Sequence, residues 1–431
     1  MSLFWWLYCI PAKTDGKNHK NLSFAAVESD AIVVVGGETG VLPPKGVFMK
    51  KLLALVLIAA LLPIALFATG SKEAPVAAPA PVIEELTHDE LVSRAKAEGK
   101  VVVYATTSRI AKAAEGFTKL YGIQVESSNL KDFELIEKVA KEAQAGVSGA
   151  DFVLAQDAGR LVGELIEPGY LYNYVPPTLK NVIPASMQNP LQAFAINKVF
   201  IYNDEGLDKS PYYNIWQFAD PKYKSLLQFK NPFQEGVNAN FLTMITNDYW
   251  SKKIADAYKS YFGKDIVLTT PNAGFEWIKA IYENDLIVGT SDTTIAENVG
   301  IKGQNEKREN PPVGLFVFSK ARYATSKNLA LKPAMEMEPF AGFYYSLYAL
   351  MAKSAKNPHA AKLFIEYLFT EEGFAPWGSD CGTYSANPNN PIQEDIDFPF
   401  EVWMPLLVEE EGAYCFDNRA EVEEFLNQYI Y

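Results

Sequence analysis

The sequence predicts an α/β fold in which mainly parallel sheets are flanked by helices. The run Lys100–Ala105 is continuously apolar and β-branched, as in a strand that is covered on both faces. Strand-like and helix-like segments then alternate along most of the chain, which is typical of parallel sheets with helical connections. The 431 residues, of which 48% are hydrophobic, suffice for two or three lobes with large cores.

The first seventy residues are not expected to belong to this globule. Residues 49–70 have the three parts of a secretory signal peptide: a start with two lysines, an apolar run and small residues. An uncleaved membrane anchor is the alternative, although the run is shorter than the ~20 residues of a spanning helix. Residues 1–48 fit no such signal, so we expect an untranslated or disordered preface. Residues 71–84 include a stretch rich in Ala and Pro and are expected to form a flexible tether.

The folded part begins with a helix. Thr87 and Glu90 form a capping box at its start, and Gly99 ends it. After the first strand, hydroxyl-bearing residues lead into a second helix. The remaining pattern predicts strands at 123–127, 151–155, 193–202, 226–229, 286–289 and 314–318, helices at 132–145, 158–166, 275–282 and 358–368, a long helical stretch after 236, and a strand or buried helix at 343–351.

Composition excludes several functions. The formal net charge is −13, and no cluster of Lys and Arg is present that could replace counterions on a nucleic acid. Beyond the signal peptide the chain has two histidines, both at helix starts, and it lacks the motifs of serine hydrolases, zinc proteases, nucleotide-binding loops and dinucleotide folds. We therefore expect neither an enzyme nor a cofactor. No spacing of Cys and His residues indicates a metal site.

Two cysteines, Cys381 and Cys415, remain in the exported chain. An oxidising compartment favours one disulfide between them, since two thiols there tend to become oxidised. Two buried free thiols are the alternative.

Five stretches of the chain resemble the periplasmic solute-binding proteins of bacterial ABC importers, in the branch that contains ferric-ion, polyamine, phosphonate and sugar-phosphate binders. They are residues 101–108, 117–125, 215–224, 231–236 and 356–373, in the order of the family. The resemblance implies the two-lobed type II fold, each lobe a mainly parallel sheet flanked by helices. It places the first lobe at 85–192 and 313–431, with the C-terminal helices, and the second at 193–312.

The same resemblance implies a function. A periplasmic monomer would hold a small-molecule ligand between lobes that close by hinge motion, and would deliver it to a permease and its ATPase, without inserting into the membrane after signal cleavage. A ligand-sensing subunit of a signalling receptor is an alternative role.

The resemblance does not carry over the iron site of the ferric binders. Those proteins hold iron with two adjacent tyrosines in the turn after a strand of the second lobe, whereas the turn here, Thr290–Thr294, contains no tyrosine. Iron(III) requires hard anionic oxygens such as phenolates. The pair Tyr344-Tyr345 is a candidate substitute, but the surrounding aromatic run, 340–348, also fits a core and cleft wall.

The remaining ligand-binding candidates are mostly neutral polar side chains, with one cation, at strand ends and helix starts. They are Thr106, Thr107, Ser108, Arg109, Gln156, Asp157, Asn231, Gln234, Asn238, Ser291, Asp292 and Thr293, with Tyr344 added from the aromatic wall. Two helix N-termini and an arginine suit an anionic group, and the amides and carboxylates suit hydroxyls. We expect a small, polar, anionic organic solute, such as a phosphorylated sugar or polyol, and a ferric complex as the second choice. Solvated loop residues, or an ordinary helix cap at 106–109, are the alternative.

Overall fold

The computed structural model describes residues 86–393 and 397–430. The expected preface, signal peptide and tether, at 1–48, 49–70 and 71–84, therefore lie outside the described residues. The strands are β1 (Lys100–Ala105), β2 (Gln124–Asn129), β3 (Phe152–Ala155), β4 (Leu171–Asn173), β5 (Gln192–Tyr202), β6 (Leu227–Lys230), β7 (Ile287–Gly289), β8 (Val313–Val317), β9 (Lys332–Pro333), β10 (Gly342–Ala352), β11 (Thr383–Ser385) and β12 (Leu407–Glu409).

The α-helices surround the sheet. They are α1 (His88–Glu98), α2 (Ile110–Tyr121), α3 (Asp132–Gln144), α4 (Ala158–Arg160), α5 (Gly236–Met244), α6 (Asp248–Phe262), α7 (Ala273–Glu283), α8 (Asp292–Gly300), α9 (Tyr323–Ser326), α10 (Pro358–Leu368), α11 (Glu371–Gly378), α12 (Phe400–Trp403) and α13 (Gly412–Leu426). A π-helix, Leu161–Ile166, continues α4, and short 3-10 helices lie at 177–179, 185–187, 215–219, 221–223, 232–234, 305–307, 318–322 and 404–406. Within the two described ranges, no helix combines the length and the apolarity needed to cross a bilayer.

The sheet consists of two parallel groups of strands. In the first parallel group, β1 pairs with β2 on one side and β3 on the other; in the second parallel group, β6 pairs with β7 and β8. The strand order is β2-β1-β3-β10-β5-β8-β6-β7. The α/β prediction is confirmed, and β1 is the central parallel strand that its apolar sequence indicated.

Two long antiparallel strands, β5 and β10, join the parallel groups. Each has eleven residues, and they pair with each other along most of their length. The end of β10 at Tyr348–Met351 pairs with β3, and the end of β5 at Lys198–Tyr202 pairs with β8. Strand β10 therefore extends the first group, β5 extends the second, and their mutual pairing connects the two. All eleven residues of β10 are buried, since both faces of this strand are covered.

The helix starts show how the sequence sets the boundaries. Thr87 Oγ1 accepts a hydrogen bond from the backbone of Glu90, whose carboxylate accepts one from the Thr87 backbone, so the capping box is confirmed. Helix α2 begins differently. Its N-cap residue, Arg109, makes no side-chain cap, and the Arg109 backbone donates to Thr107 Oγ1 at 3.3 Å. The hydroxyl-rich segment therefore orders the turn before the helix, and the Arg109 side chain, which does not cap the helix, can form an ion pair elsewhere.

The C-terminal helix packs on elements of both groups. Helix α13 lies against α4, which follows β3, and against α5, which follows β6. A Cβ atom added to Gly159 would lie 3.1 Å from the Cβ of Cys415, so the lack of a side chain there permits the close approach of α4 and α13. The ring of Phe425 contacts Phe275 of α7, with centroids 5.1 Å apart. This helix therefore links the groups a third time.

Candidate functional site

Charged and polar side chains follow the carboxyl ends of all six strands in the parallel groups. In an open α/β sheet, this is where ligands bind, because loops and helix N-termini converge there. The residues used below are Arg109 after β1, Asp132 after β2, Gln156 after β3, Glu235 after β6, Asp292 after β7, and Lys320 and Arg322 after β8. Lys198 and Tyr345, on the joining strands, lie between them.

A buried lysine organises the side contributed by the second group. Lys198 is fully buried, and its ammonium forms ion pairs with Glu235 and, at 3.4 Å, with Asp292. It also donates to Asn238 Oδ1 at 2.9 Å. Burial opposes the charge of Lys198, but the two carboxylates outweigh it and raise its pKa above the ordinary value. The ammonium lowers the pKa of Asp292 in turn, against the effect of burial. The structure thus brings Asn238 and Asp292 together.

The first group supplies a carboxylate that has no ion-pair partner among the described residues. Gln156 Nε2 donates to both carboxylate oxygens of Asp132, at 3.1 and 2.9 Å. Burial raises the pKa of Asp132 to about 6 despite these hydrogen bonds, and the carboxylate of Glu235 adds to the increase. Gln156, one of the expected residues, therefore lies beside Asp132 and positions this carboxylate, which the sequence analysis did not include.

The opposite end of the site carries an excess of cations. Arg109 and Arg322 both form ion pairs with Asp380, the second through Arg322 Nη1 and Asp380 Oδ1 at 2.8 Å. Burial and the charge of Arg322 lower the pKa of Arg109. Burial lowers the pKa of the nearby Lys320, and Arg322 and Arg109 contribute to the decrease, whereas Tyr323 and Asp292 oppose it. Two guanidinium groups that share one carboxylate leave one positive charge uncompensated in this cluster.

Neighbouring tyrosines on β10 point in different directions. The Tyr345 hydroxyl lies in the field of Glu235, Asp292, Asp132 and Arg109, and thus inside the site. Tyr344 packs its ring against Phe400, with centroids 5.1 Å apart, and its hydroxyl interacts with Glu409. The structure therefore does not bring Tyr344 to the other candidates, because successive side chains of a strand face opposite sides.

The other expected residues make mostly local contacts. Thr293 bonds Tyr323, and Thr107 orders the turn before α2. The oxygens of Asn231 and Ser291 cap the starts of helices, and the Ser108 and Gln234 side chains are exposed. Thr106 Oγ1 is buried, and no described residue bonds it.

Asp157 lies in a junction between three helices. Its carboxylate accepts from Arg419 Nη1 at 2.9 and 3.0 Å and from Asn240 Nδ2 at 2.9 Å. Asn240 also donates to Glu410, whose Oε1 accepts from the Ala158 backbone at 3.1 Å. These bonds tie α4, α5 and α13 together. The carboxylate of Asp157 thus joins helices, whereas the sequence analysis expected it to bind the ligand.

We expect Glu410 to make the stability of this junction depend on pH. Burial raises the pKa of its carboxyl group to about 8, and the neighbouring Asp157 contributes. A carboxyl group whose pKa is raised by folding stabilises most fully below its unfolded pKa, and this stability is lost as pH rises through the folded pKa. We expect the stability of Glu410→Gln to match that of the wild type near pH 5. Near pH 9 the variant should unfold at a higher temperature, and its free energy of unfolding should exceed that of the wild type by on the order of a few kcal/mol.

Thermal unfolding at the two pH values measures this difference. Glu411→Gln, at the exposed neighbouring position, is the matched control and should leave both melting temperatures unchanged. Equal effects of Glu410→Gln at pH 5 and pH 9 would contradict the assignment.

The expected disulfide is wrong. Cys381 and Cys415 are both free and buried. The Cys381 thiol donates to the carbonyl of Phe318 at 3.2 Å, and that of Cys415 to the carbonyl of Asn240 at 3.7 Å. The two residues lie in different apolar clusters, so their sulfur atoms have separate partners. The alternative of two buried thiols is the one that the structure has.

The described residues, 86–393 and 397–430, contain no cluster of side chains suited to metal binding. No group of three or more His, Cys, Asp and Glu side chains there has an arrangement that could hold a metal ion.

The sequence analysis missed several residues of the site. Lys198 interrupts an apolar strand pattern, and a charge in such a run is a signal for a buried ion pair. Lys320 and Arg322 lie three and five residues after the end of β8, as Arg109 lies four residues after the end of β1, so the rule used for the first strand would have found them. Tyr345 gave no separate signal, because both faces of β10 are apolar.

Comparisons with known proteins agree with this architecture. A family model described as bacterial extracellular solute-binding protein matches residues 112–398, more than half of the chain. No curated protein matches.

Three solved structures illustrate the fold. The iron-bound HitA of Pseudomonas aeruginosa is 16% identical with a TM-score of 0.57, covering 77% of this chain and 99% of that one. AfuA of Actinobacillus pleuropneumoniae, with fructose-6-phosphate bound, is 18% identical with a TM-score of 0.55, covering 77% and 97%. The substrate binding protein of an ABC transporter from Agrobacterium tumefaciens is 16% identical with a TM-score of 0.55, covering 77% and 94%. At these identities the likeness shows the fold alone.

Proposed function

The chain belongs to the bacterial extracellular solute-binding proteins, and we propose that it is the periplasmic component of an ABC importer that binds a small anionic organic solute. Its partners would be a permease and the ATPase of that importer. The ligand would lie between the parallel groups and be released to the permease when they separate. A phosphorylated sugar or polyol is the class that best fits the site.

One observation carries the choice of an anion. Arg109 and Arg322 share the single carboxylate of Asp380, which leaves one positive charge without a counterion in this cluster, and the charge of Lys320 lies close to both arginines. A phosphate monoester carries up to two negative charges and accepts hydrogen bonds from guanidinium groups in pairs. It would therefore supply the charge that the site lacks.

The same contacts explain how a ligand could favour closure. Arg109 follows a strand of the first group, whereas Arg322 follows a strand of the second. An anion bound by both would attract elements of both groups and stabilise the arrangement in which they are close.

Thermal shift measurements test the proposal directly. A ligand that binds only the folded state raises its stability by RT ln(1 + [L]/Kd), or about 2.7 kcal/mol at a hundredfold excess over Kd. We expect sugar phosphates and glycerol 3-phosphate to raise the melting temperature, and neutral sugars, polyamines and ferric salts to leave it unchanged. A shift with ferric salts and none with phosphorylated compounds would overturn the proposal in favour of the iron alternative.

A further inference from the structure

Tyr345 occupies an unusual position in the site. Its side chain is only 5% exposed, yet its hydroxyl makes no hydrogen bond to any residue in the described part of the chain. Glu235 and Asp292 of the second group and Asp132 and Arg109 of the first all act on this hydroxyl electrostatically. The hydroxyl is not among the fully enclosed atoms that lack a partner, so a ligand between the two groups can reach it.

The charges around Tyr345 favour its hydroxyl as a hydrogen-bond donor. Burial raises its pKa well above the ordinary value, and the carboxylates of Glu235, Asp292 and Asp132 raise it further. The hydroxyl therefore keeps its proton at neutral pH. A phenol in this state can donate a hydrogen bond to a ligand oxygen, whereas coordination of iron(III) would require the phenolate.

Asp132 complements Tyr345 as an acceptor. Each of its two oxygens accepts one bond from the same nitrogen of Gln156, so lone pairs remain on both. A second unpartnered hydroxyl, Thr106 Oγ1, lies at the carboxyl end of β1, where the Thr106 backbone donates to Leu154 of β3 at 3.1 Å. This part of the site thus offers a donor without a partner, an acceptor with free lone pairs and a second hydroxyl without a partner.

We propose that Tyr345 and Asp132 form a subsite for hydroxyl groups, which makes the protein select phosphorylated polyols and sugars over inorganic phosphate and simple alkyl phosphates. This inference rests on the proposed function, since the cations are taken to hold the phosphate. A ligand hydroxyl accepts from the tyrosine and donates to the aspartate. A ligand without hydroxyls leaves the Tyr345 hydroxyl without an acceptor and Asp132 with Gln156 as its one donor, and a polar site rejects analogues in this way.

Two conservative variants test the subsite. Tyr345→Phe removes only the hydroxyl, and Asp132→Asn removes the carboxylate while keeping its shape. The matched control is Tyr348→Phe, a buried tyrosine three positions along the same strand whose hydroxyl lies near Glu410 and Tyr344. Calorimetric titration would give Kd for glucose 6-phosphate, glycerol 3-phosphate and inorganic phosphate, and the melting temperature of each ligand-free variant would show that it folds.

The expected result is a change in selectivity. The wild type should bind the two hydroxylated phosphates more tightly than inorganic phosphate. Tyr345→Phe and Asp132→Asn should each weaken them about tenfold, the effect of one lost hydrogen bond in a buried site, while changing the Kd of inorganic phosphate less than twofold. Tyr348→Phe should change neither.

Other results would overturn the subsite and separate it from the proposed function. If the wild type binds phosphorylated ligands but the two variants weaken all of them equally, or none, the hydroxyl subsite is wrong and the anion site stands. If the wild type binds no phosphorylated probe, both proposals are wrong.

Discussion

Arg109→Glu is expected to abolish the binding of phosphorylated ligands, with a loss of affinity of at least about 100-fold. The substitution removes one of the two guanidinium groups that share Asp380 and places a second carboxylate beside it, so the excess positive charge of this cluster becomes an excess of negative charge. Hydrogen bonds to charged groups contribute about 1.5 to 3 kcal/mol, and 3 kcal/mol corresponds to roughly a 100-fold change in Kd. Titration with glycerol 3-phosphate measures the loss.

The control for this variant reverses a charge nearby on the same helix. Lys112 is exposed and lies three residues after Arg109, beside an apolar groove between α2 and α11. Lys112→Glu changes the net charge of the protein by the same amount and should weaken binding less than threefold, because solvent screens exposed charges. If both variants lose affinity equally, the attraction is a general field effect and Arg109 does not contact the ligand.

The second large effect concerns stability. Lys198→Ala should lower the free energy of unfolding by about 3 to 5 kcal/mol, which is typical when one partner of a buried ion pair is removed. The substitution leaves the carboxylates of Glu235 and Asp292 near each other with Lys230 and, for Asp292, Lys320 to oppose them, and it deprives Asn238 of a donor. Urea-induced unfolding gives the free energy from the midpoint and slope of the transition.

An exposed ion pair provides the comparison. Lys224 lies 3.3 Å from Asp285, and both side chains are more than half exposed. Lys224→Ala should cost less than about 1 kcal/mol, as exposed ion pairs generally do. A similarly small loss for Lys198→Ala would mean that the buried cluster does not stabilise the fold, and the description of Lys198 as the organising residue of the second group would have to be abandoned.

Sequence patterns were sufficient for the elements and for the class of fold. The run at 100–105 and the helix starts at Thr87 and Pro358 appear in the structure as predicted, because local signals such as β-branched runs and capping residues determine them. The segment 158–166 was expected to be one helix, and the structure has a short α-helix followed by a π-helix. Helical periodicity does not distinguish these forms over so few residues.

The site was harder to predict because its contacts join distant parts of the chain. Lys198 meets Glu235 and Asp292, which are 37 and 94 positions away, and no spacing rule connects them. The choice between Tyr344 and Tyr345 depends on which face of β10 is directed at the ligand, and a strand that is buried on both faces has no alternation to show it. Asp157 was assigned to the ligand, whereas its carboxylate accepts hydrogen bonds from Arg419, which lies 262 positions later.

The pairing of β5 with β10 has a consequence for how the protein comes apart. Strand β10 pairs with β3 and β5 pairs with β8, and the two strands also pair with each other. The backbone hydrogen bonds therefore continue from one parallel group into the other without a break. Melting one group would remove backbone hydrogen bonds from a strand that the other group needs. We therefore expect the folded region to unfold in one cooperative step.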